Sequence, residues 1–362
     1  MNAITTAKAP RFLIISTLRL GDALLVTPLI RSLRKHHPDS VIDVLVLEGV
    51  RGIFEGNPDI DRIIEVAHRR PFFKRWREIR QLWRRYSHAL APVSSDRARF
   101  YGFVAAPTRI GFINPHTSAL SRSLLTHALP FDDHNIHTVP HNLRLLEPLN
   151  IPKDFTVVPP TTSKTSVQRE DDLVVIHPYP KFRYKSWPME HWIRLINGLV
   201  KQTDCRIILT GGSDTEEIAF TQAIARPTSA INRAGQLTLA ETADLIRSSR
   251  LFIGPDTGIT HIAAATGTPT VALFGPTNPV KWGPWPWACQ ETSPWQDRGS
   301  QQCGNVFLIQ GEGDCVPCHQ EGCDQHPLSA SHCLDTLEVA RVEAIALSLY
   351  RQNPNILKNS LS

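Results

Sequence analysis

The side chains best suited to chemistry in this chain follow short apolar runs. Asp22, with Gly21, comes after RFLIIST (Arg11 to Thr17). Lys181 and Lys185 come after DLVVIHP, Glu216 and Glu217 after CRIILTGG, and Asp256 after LFIG (Leu251 to Gly254). Apolar runs of this length, bounded by glycine and proline and alternating with helical patterns, read as buried strands of parallel βαβ units. Ligands of such units gather beyond the carboxyl ends of the strands. One carboxylate therefore stands in the first half of the chain, and cations, glycine amides and a helix N-terminus stand in the second. Helix starts offer free N–H groups to anions. The turn Pro255-Asp256-Thr257-Gly258, with Asp256 as the expected helix cap, thus reads as a phosphate-binding corner, and His261 follows it by one turn. The arrangement suits a nucleotide-activated donor on the second half and a base on the first.

These residues need two frameworks to hold them. A chain of 362 residues exceeds one ordinary core. The strand-helix alternation of the first half begins again after residue 171. The expected fold class is α/β, with two Rossmann-like domains whose parallel sheets face a central cleft. Residues 1–155 form the first, 156–171 a linker rich in Pro, Thr and Ser, and 172–362 the second, which ends in a Cys-rich segment at 303–333 and a terminal helix. Within the first domain, residues 113–137 read as a long polar loop and His137 to Ile151 as a helix. Only one glycine stands in the turn at Asp22, which weakens a dinucleotide-fingerprint reading.

The apolar fraction of 41%, the charged fraction of 20% and a net charge of +5 belong to a globular protein. The first eleven residues lack the apolar run of a signal peptide, and no window is long enough to span a membrane, so a cytoplasmic setting is expected. His68 to His88 carries eight Arg or Lys and a single acid, Glu78. Phe72, Trp76, Ile79, Trp83 and Tyr86 recur there at helical spacing. Such a helix either lies on an anionic membrane surface, or is an ordinary domain helix with its aromatic stripe on the sheet. Nucleic-acid binding is not expected, because the charge is confined to one segment with no recognition module beside it.

Six of the seven cysteines lie between Cys289 and Cys333. Cys315 and Cys318 make a C-x2-C pair, followed by Cys323 and Cys333, with His326 and His332 as alternative ligands. A structural zinc there competes with reduced thiols or local disulfides.

At the chemistry-bearing loops the chain resembles the ADP-heptose:lipopolysaccharide heptosyltransferases of glycosyltransferase family 9, which have the GT-B fold. The matching stretches are GDALLVTPLIRSLRKHHPD, HPYPKFRYKSWPMEHW, ILTGGSDTEE and AGQLTLAETADLIRSSRLFIGPDTGITHIAAATGTPTVALFGPTNPVKW. They span about residues 11 to 285, and the NPDI and HTVPHNL stretches are most similar to the third-heptose subgroup. The resemblance implies an inverting transfer of heptose from ADP-heptose to the lipid-anchored core oligosaccharide of growing lipopolysaccharide, without a catalytic metal.

It implies Asp22 as general base, Lys185 as the cation on the diphosphate, Asp256 on the donor sugar, and Thr257 and Gly258 as amide donors to phosphate. Gly21 and Lys181 belong with the donor site. Glu216 or Glu217 would hold the ribose, or both are exposed acids in a first helical turn. His261 touches the donor or packs. The chain departs from the family at Tyr179-Pro180-Lys181-Phe182, where small or hydroxyl residues are usual; Lys181 or Arg183 would then replace a hydroxyl contact. A nucleotide-sugar epimerase, a transferase of different donor or acceptor, and a non-catalytic sugar-nucleotide-binding protein are the competing functions.

Overall fold

The computed structural model describes residues 9–68, 76–162 and 168–352. Two compact units divide the chain. One comprises Met1–Asp133 with Thr138–Val158, the other His134–His137 with Pro159–Ser362.

The first unit is built on a six-stranded parallel sheet. Its strands are β1 (Arg11–Ser16), β2 (Val41–Leu47), β3 (Arg62–Val66), β4 (His88–Ala91), β5 (Thr108–Ile113) and β6 (His127–Pro130), in the order β3-β2-β1-β4-β5-β6. Its helices are α1 (Leu20–Leu24), α2 (Thr27–His36), α3 (Trp76–Leu82), α4 (Asp96–Ala105), α5 (Ala119–Ser123) and α6 (Thr138–Leu143). Phe12 to Ile15 and Val44 to Val46 are fully enclosed, as strands covered on both faces must be. α2 takes Pro28 in its first turn and ends in Arg34, Lys35 and His36, agreeing with the constraints on a helix start and the field at a helix end.

The second unit repeats the order around a seven-stranded sheet, β12-β13-β11-β10-β7-β8-β9. The strands are β7 (Leu173–Ile176), β8 (Arg206–Leu209), β9 (Ile231–Asn232), β10 (Leu251–Pro255), β11 (Thr270–Phe274), β12 (Gln301–Cys303) and β13 (Val306–Gln310). Among the described strands of this sheet only β12 runs antiparallel, at the edge. The helices are α7 (Met189–Thr203), α8 (Thr215–Ala225), α9 (Leu239–Ser248), α10 (Gly258–Thr266), α11 (Pro279–Trp282), α12 (His332–Asp335) and α13 (Val339–Arg351). α7 and α13 bury Trp192, Leu195, Leu199, Val342 and Ala346 in one core with β7, β8 and β10.

Three expectations are corrected. The stretch 113–137 is not one loop, since it holds α5 and β6; β6 is half-exposed and carries no run of buried apolar side chains. The expected helix His137 to Ile151 is α6 followed by a 3-10 turn, Arg144–Leu149, which contains Pro148. Proline lacks the N–H that continues an α-helix. Gly21 lies inside α1 rather than in a tight turn ahead of it.

Candidate active site

In the first unit, strand order reverses direction between β1 and β4. Chain leaving β1 at such a switch point enters the crevice that open α/β sheets use for ligands. α1 begins there, and Asp22 is the acid of its first turn, half-buried. Its carboxylate is thus carried at the ligand edge of the sheet.

The second unit has its own switch point, between β7 and β10. Asp256 follows β10, and Lys185 lies on the loop after β7. Their side chains meet there: Lys185 Nζ donates to Asp256 Oδ2 at 2.5 Å, with Asp256 only 6% exposed and Lys185 18%. The helix cap itself is Thr257, not Asp256. Thr257 accepts from the Thr260 N–H, and Thr260 Oγ1 donates to the Pro255 carbonyl at 2.5 Å. The correction follows from the ion pair, which holds the Asp256 carboxylate outside the cap. Gly254 permits this corner, because a Cβ there would stand 2.9 Å from Phe252 and 3.0 Å from Thr260.

His261, one turn into α10, is buried, and its Nδ1 has no hydrogen-bond partner among the described residues. Burial pushes its pKa down to about 4; Asp256 opposes the shift and Lys185 adds to it. At neutral pH it is an uncharged ring beside the ion pair.

The Lys185 loop is braced from the Cys-rich end of the chain. Ser331 Oγ donates to the Tyr184 carbonyl at 2.6 Å, the Arg183 N–H to Pro327 at 3.2 Å, and the Trp187 indole to Leu337 at 3.0 Å. Residues 327–337 therefore position the cation. Lys181, further out on the same loop, is exposed.

Glu216 and Glu217 separate cleanly. Asp214 caps α8 and turns Glu216 outward, where Tyr179 Oη donates to it at 3.3 Å. Glu217 folds inward over Gly211 and Gly212, accepts from the Gly212 N–H, and has its pKa raised by burial. Its Oε1 lies 3.7 Å from His177 Nε2. His177 is buried and held neutral at about 4 by desolvation, so this contact is no ion pair at neutral pH. Glu217 is the acid placed at the strand ends. Tyr179, the departure from the family pattern, packs edge-on against Phe220 at 5.3 Å.

These neutral histidines make a stability prediction. His177 and His261 have folded pKa values of about 4 against 6.5 when unfolded. Between those values the unfolded chain binds protons that the folded chain refuses, so stability falls as pH falls from 6.5 toward 4. The loss is on the order of 3 kcal/mol for each fully buried ring. Denaturant midpoints across this window should show it, and His261→Gln should flatten the slope. An unchanged slope in the variant would contradict the assignment.

Among the described residues no three His, Cys, Asp or Glu side chains form a group able to hold a metal ion. Cys333 is buried whereas Cys315 and Cys323 are exposed, and burial raises the Cys333 thiol to about 12. The thiols are free. Two further residues escaped sequence reading. His137 is buried with Nε2 at 2.8 Å from the Gly283 carbonyl and its ring 4.7 Å from Trp285. Lys281 is 1% exposed, its Nζ lying 5.7 Å from the Trp282 ring centroid. Both attach to the NPVKWGPW stretch, whose motif character was the available signal.

The family model for glycosyltransferase family 9 (heptosyltransferase) matches residues 77–305, more than half the chain. Lipopolysaccharide heptosyltransferase 3 of Escherichia coli is 31% identical over 292 residues, 73% of this chain and 83% of that protein. Among solved structures, a glycosyl transferase family 9 protein from Veillonella parvula superposes with a TM-score of 0.73 at 19% identity, covering 94% of this chain and 97% of that one. E. coli ADP-heptose lps heptosyltransferase II gives 0.71 at 18%, covering 94% and 98%. The two doubly wound units are those of the GT-B heptosyltransferase fold, and the chain belongs to glycosyltransferase family 9, the heptosyltransferases of lipopolysaccharide core synthesis.

Proposed function

We propose that the chain transfers heptose from ADP-heptose to the lipid-anchored inner core of growing lipopolysaccharide, with inversion at the anomeric carbon, at the cytoplasmic membrane face. The observation that carries this reading is the Lys185–Asp256 pair at the switch point of the second unit. An ammonium has three N–H donors, enough to hold Asp256 and a diphosphate oxygen together. Lys185 would stabilise the departing ADP as its charge develops, and Asp256 would meet hydroxyls of the donor heptose. The Thr257 and Gly258 amides at the start of α10 would face phosphate. Glu217 would hold the ribose.

Asp22 takes the proton of the acceptor hydroxyl as that oxygen bonds the anomeric carbon and the sugar–phosphate bond breaks. The chain's own cations carry the leaving-group charge. The E. coli relative whose name contains ADP-heptose supports the donor, and the lipopolysaccharide heptosyltransferase 3 relative supports the acceptor. The test is incubation with ADP-heptose and a truncated core acceptor. Addition of one heptose is expected, and an acceptor left unchanged under conditions where the chain is folded would overturn the reading.

We also propose that Cys315, Cys318, Cys323 and Cys333 hold a structural zinc, with His326 or His332 able to replace a thiol. The C-x2-C spacing supports it; the described side chains do not stand as a metal-holding group, so binding would draw them together. Metal analysis should find about one zinc per purified chain, lost in the Cys315→Ser, Cys318→Ser double variant. A chain free of zinc after purification in its presence would refute the site.

A further inference from the structure

The aromatic stripe of the basic segment does not pack as one face. Ile79, Leu82 and Tyr86 turn inward onto Leu13, Ala89 and Tyr101, whereas Trp76 and Trp83 are 70% and 60% exposed. Phe72 and the basic residues before Trp76 lie outside the described residues. An ordinary domain helix would bury its indoles before it buried Tyr86. Here two large apolar rings, two turns apart and so on one side, are left in water.

Beside them the charge is unspent. Trp76, Arg77, Arg80, Gln81 and Arg85 line an open hollow of about 380 Å³. The guanidiniums of Arg77, Arg80 and Arg85 make no hydrogen bond or ion pair with any described residue. Elsewhere Arg31, Arg34, Arg99, Arg206 and Arg247 each hold a carboxylate. Glu78, the one acid from Trp76 to Tyr86, is turned away to accept from Tyr101 Oη at 2.6 Å. No helix among the described residues is long and apolar enough to cross a membrane.

We infer that this face, Trp76 and Trp83 with Arg77, Arg80, Arg84 and Arg85, docks the chain on an anionic phospholipid surface. Indoles suit the boundary between headgroup and acyl chain, and guanidiniums bind headgroup phosphates in forked pairs. The inference rests on the glycolipid reading of function, because an enzyme whose acceptor is anchored in a bilayer must meet that bilayer.

Cosedimentation of the full chain with vesicles of mixed phosphatidylglycerol and phosphatidylcholine tests it, with pure phosphatidylcholine vesicles as control. Binding should need the anionic lipid and weaken with ionic strength. Trp76→Ser with Trp83→Ser, and separately Arg77→Gln, Arg80→Gln, Arg84→Gln and Arg85→Gln together, should each weaken binding about tenfold or more. All these side chains are exposed, so folding is not at stake. Transfer to a soluble, lipid-free acceptor should stay within about twofold in both variants, since neither changes the donor residues. Unchanged vesicle binding in both variants overturns the inference, and so does release by inorganic phosphate at fixed ionic strength. Failure of transfer by every chain, with lipid binding still dependent on these residues, would sink the glycolipid function and leave the surface standing.

Discussion

Asp22→Ala is expected to lower kcat by about 10²–10⁴-fold, the contribution of a well-placed general base, while ADP-heptose affinity stays nearly unchanged. The split follows from placement. Asp22 belongs to α1 at the ligand edge of the first sheet, whereas the residues proposed for the donor lie on loops of the second unit. Asp22→Asn serves as the check on folding, because it keeps size and helix position while removing the proton acceptor. It should be as inactive as the alanine variant. Turnover comparable to the unaltered chain in either variant would remove Asp22 from the mechanism.

Lys185→Ala is expected to lower kcat by about 10²–10³-fold, the usual result of removing one preorganised donor from a developing charge, and to weaken donor binding as well. Its stability cost arises from Asp256, which is 6% exposed and would lose its cation. Breaking a buried pair by removing one partner leaves an uncompensated charge. Lys185 is partly open to water, so that cost is softened by solvent. The double variant Lys185→Ala, Asp256→Asn removes the stranded charge and separates the two effects. It should regain stability without regaining transfer. Full activity in Lys185→Ala, with unchanged donor affinity, would contradict the assignment.

The central strands were legible because parallel strands covered on both faces are near-continuous apolar runs, as in FLII, LVVI and TVALF. The edge strands β6, β9 and β12 were not. They are short and partly exposed, so their sequence carries neither a run nor an alternation. At the site, strand ends put Lys185 and Asp256 on separate loops of the second half without revealing that they pair, and the helix cap went to Thr257. A capping aspartate and an ion-paired aspartate look alike until the lysine is placed 71 residues away in sequence.

The choice between Glu216 and Glu217 had the same character. It depends on which side of α8 faces Gly211 and Gly212, a matter of packing rather than composition. Helical spacing also grouped Trp76 and Trp83 with Ile79, although only Ile79 turns inward. Periodicity records that aromatic residues recur, not which of them the core has room for. His137 and Lys281 are buried through contacts made far along the chain, for which local sequence holds no pattern.

The proposed function is tested by a donor competition. Equal amounts of ADP-heptose and of UDP- and GDP-linked sugars are offered to the chain with one truncated core acceptor, and the acceptor mass is measured. A single added heptose, derived from ADP-heptose alone, is expected. Addition of another sugar, or none while the chain still binds ADP, would overturn heptose transfer from ADP-heptose.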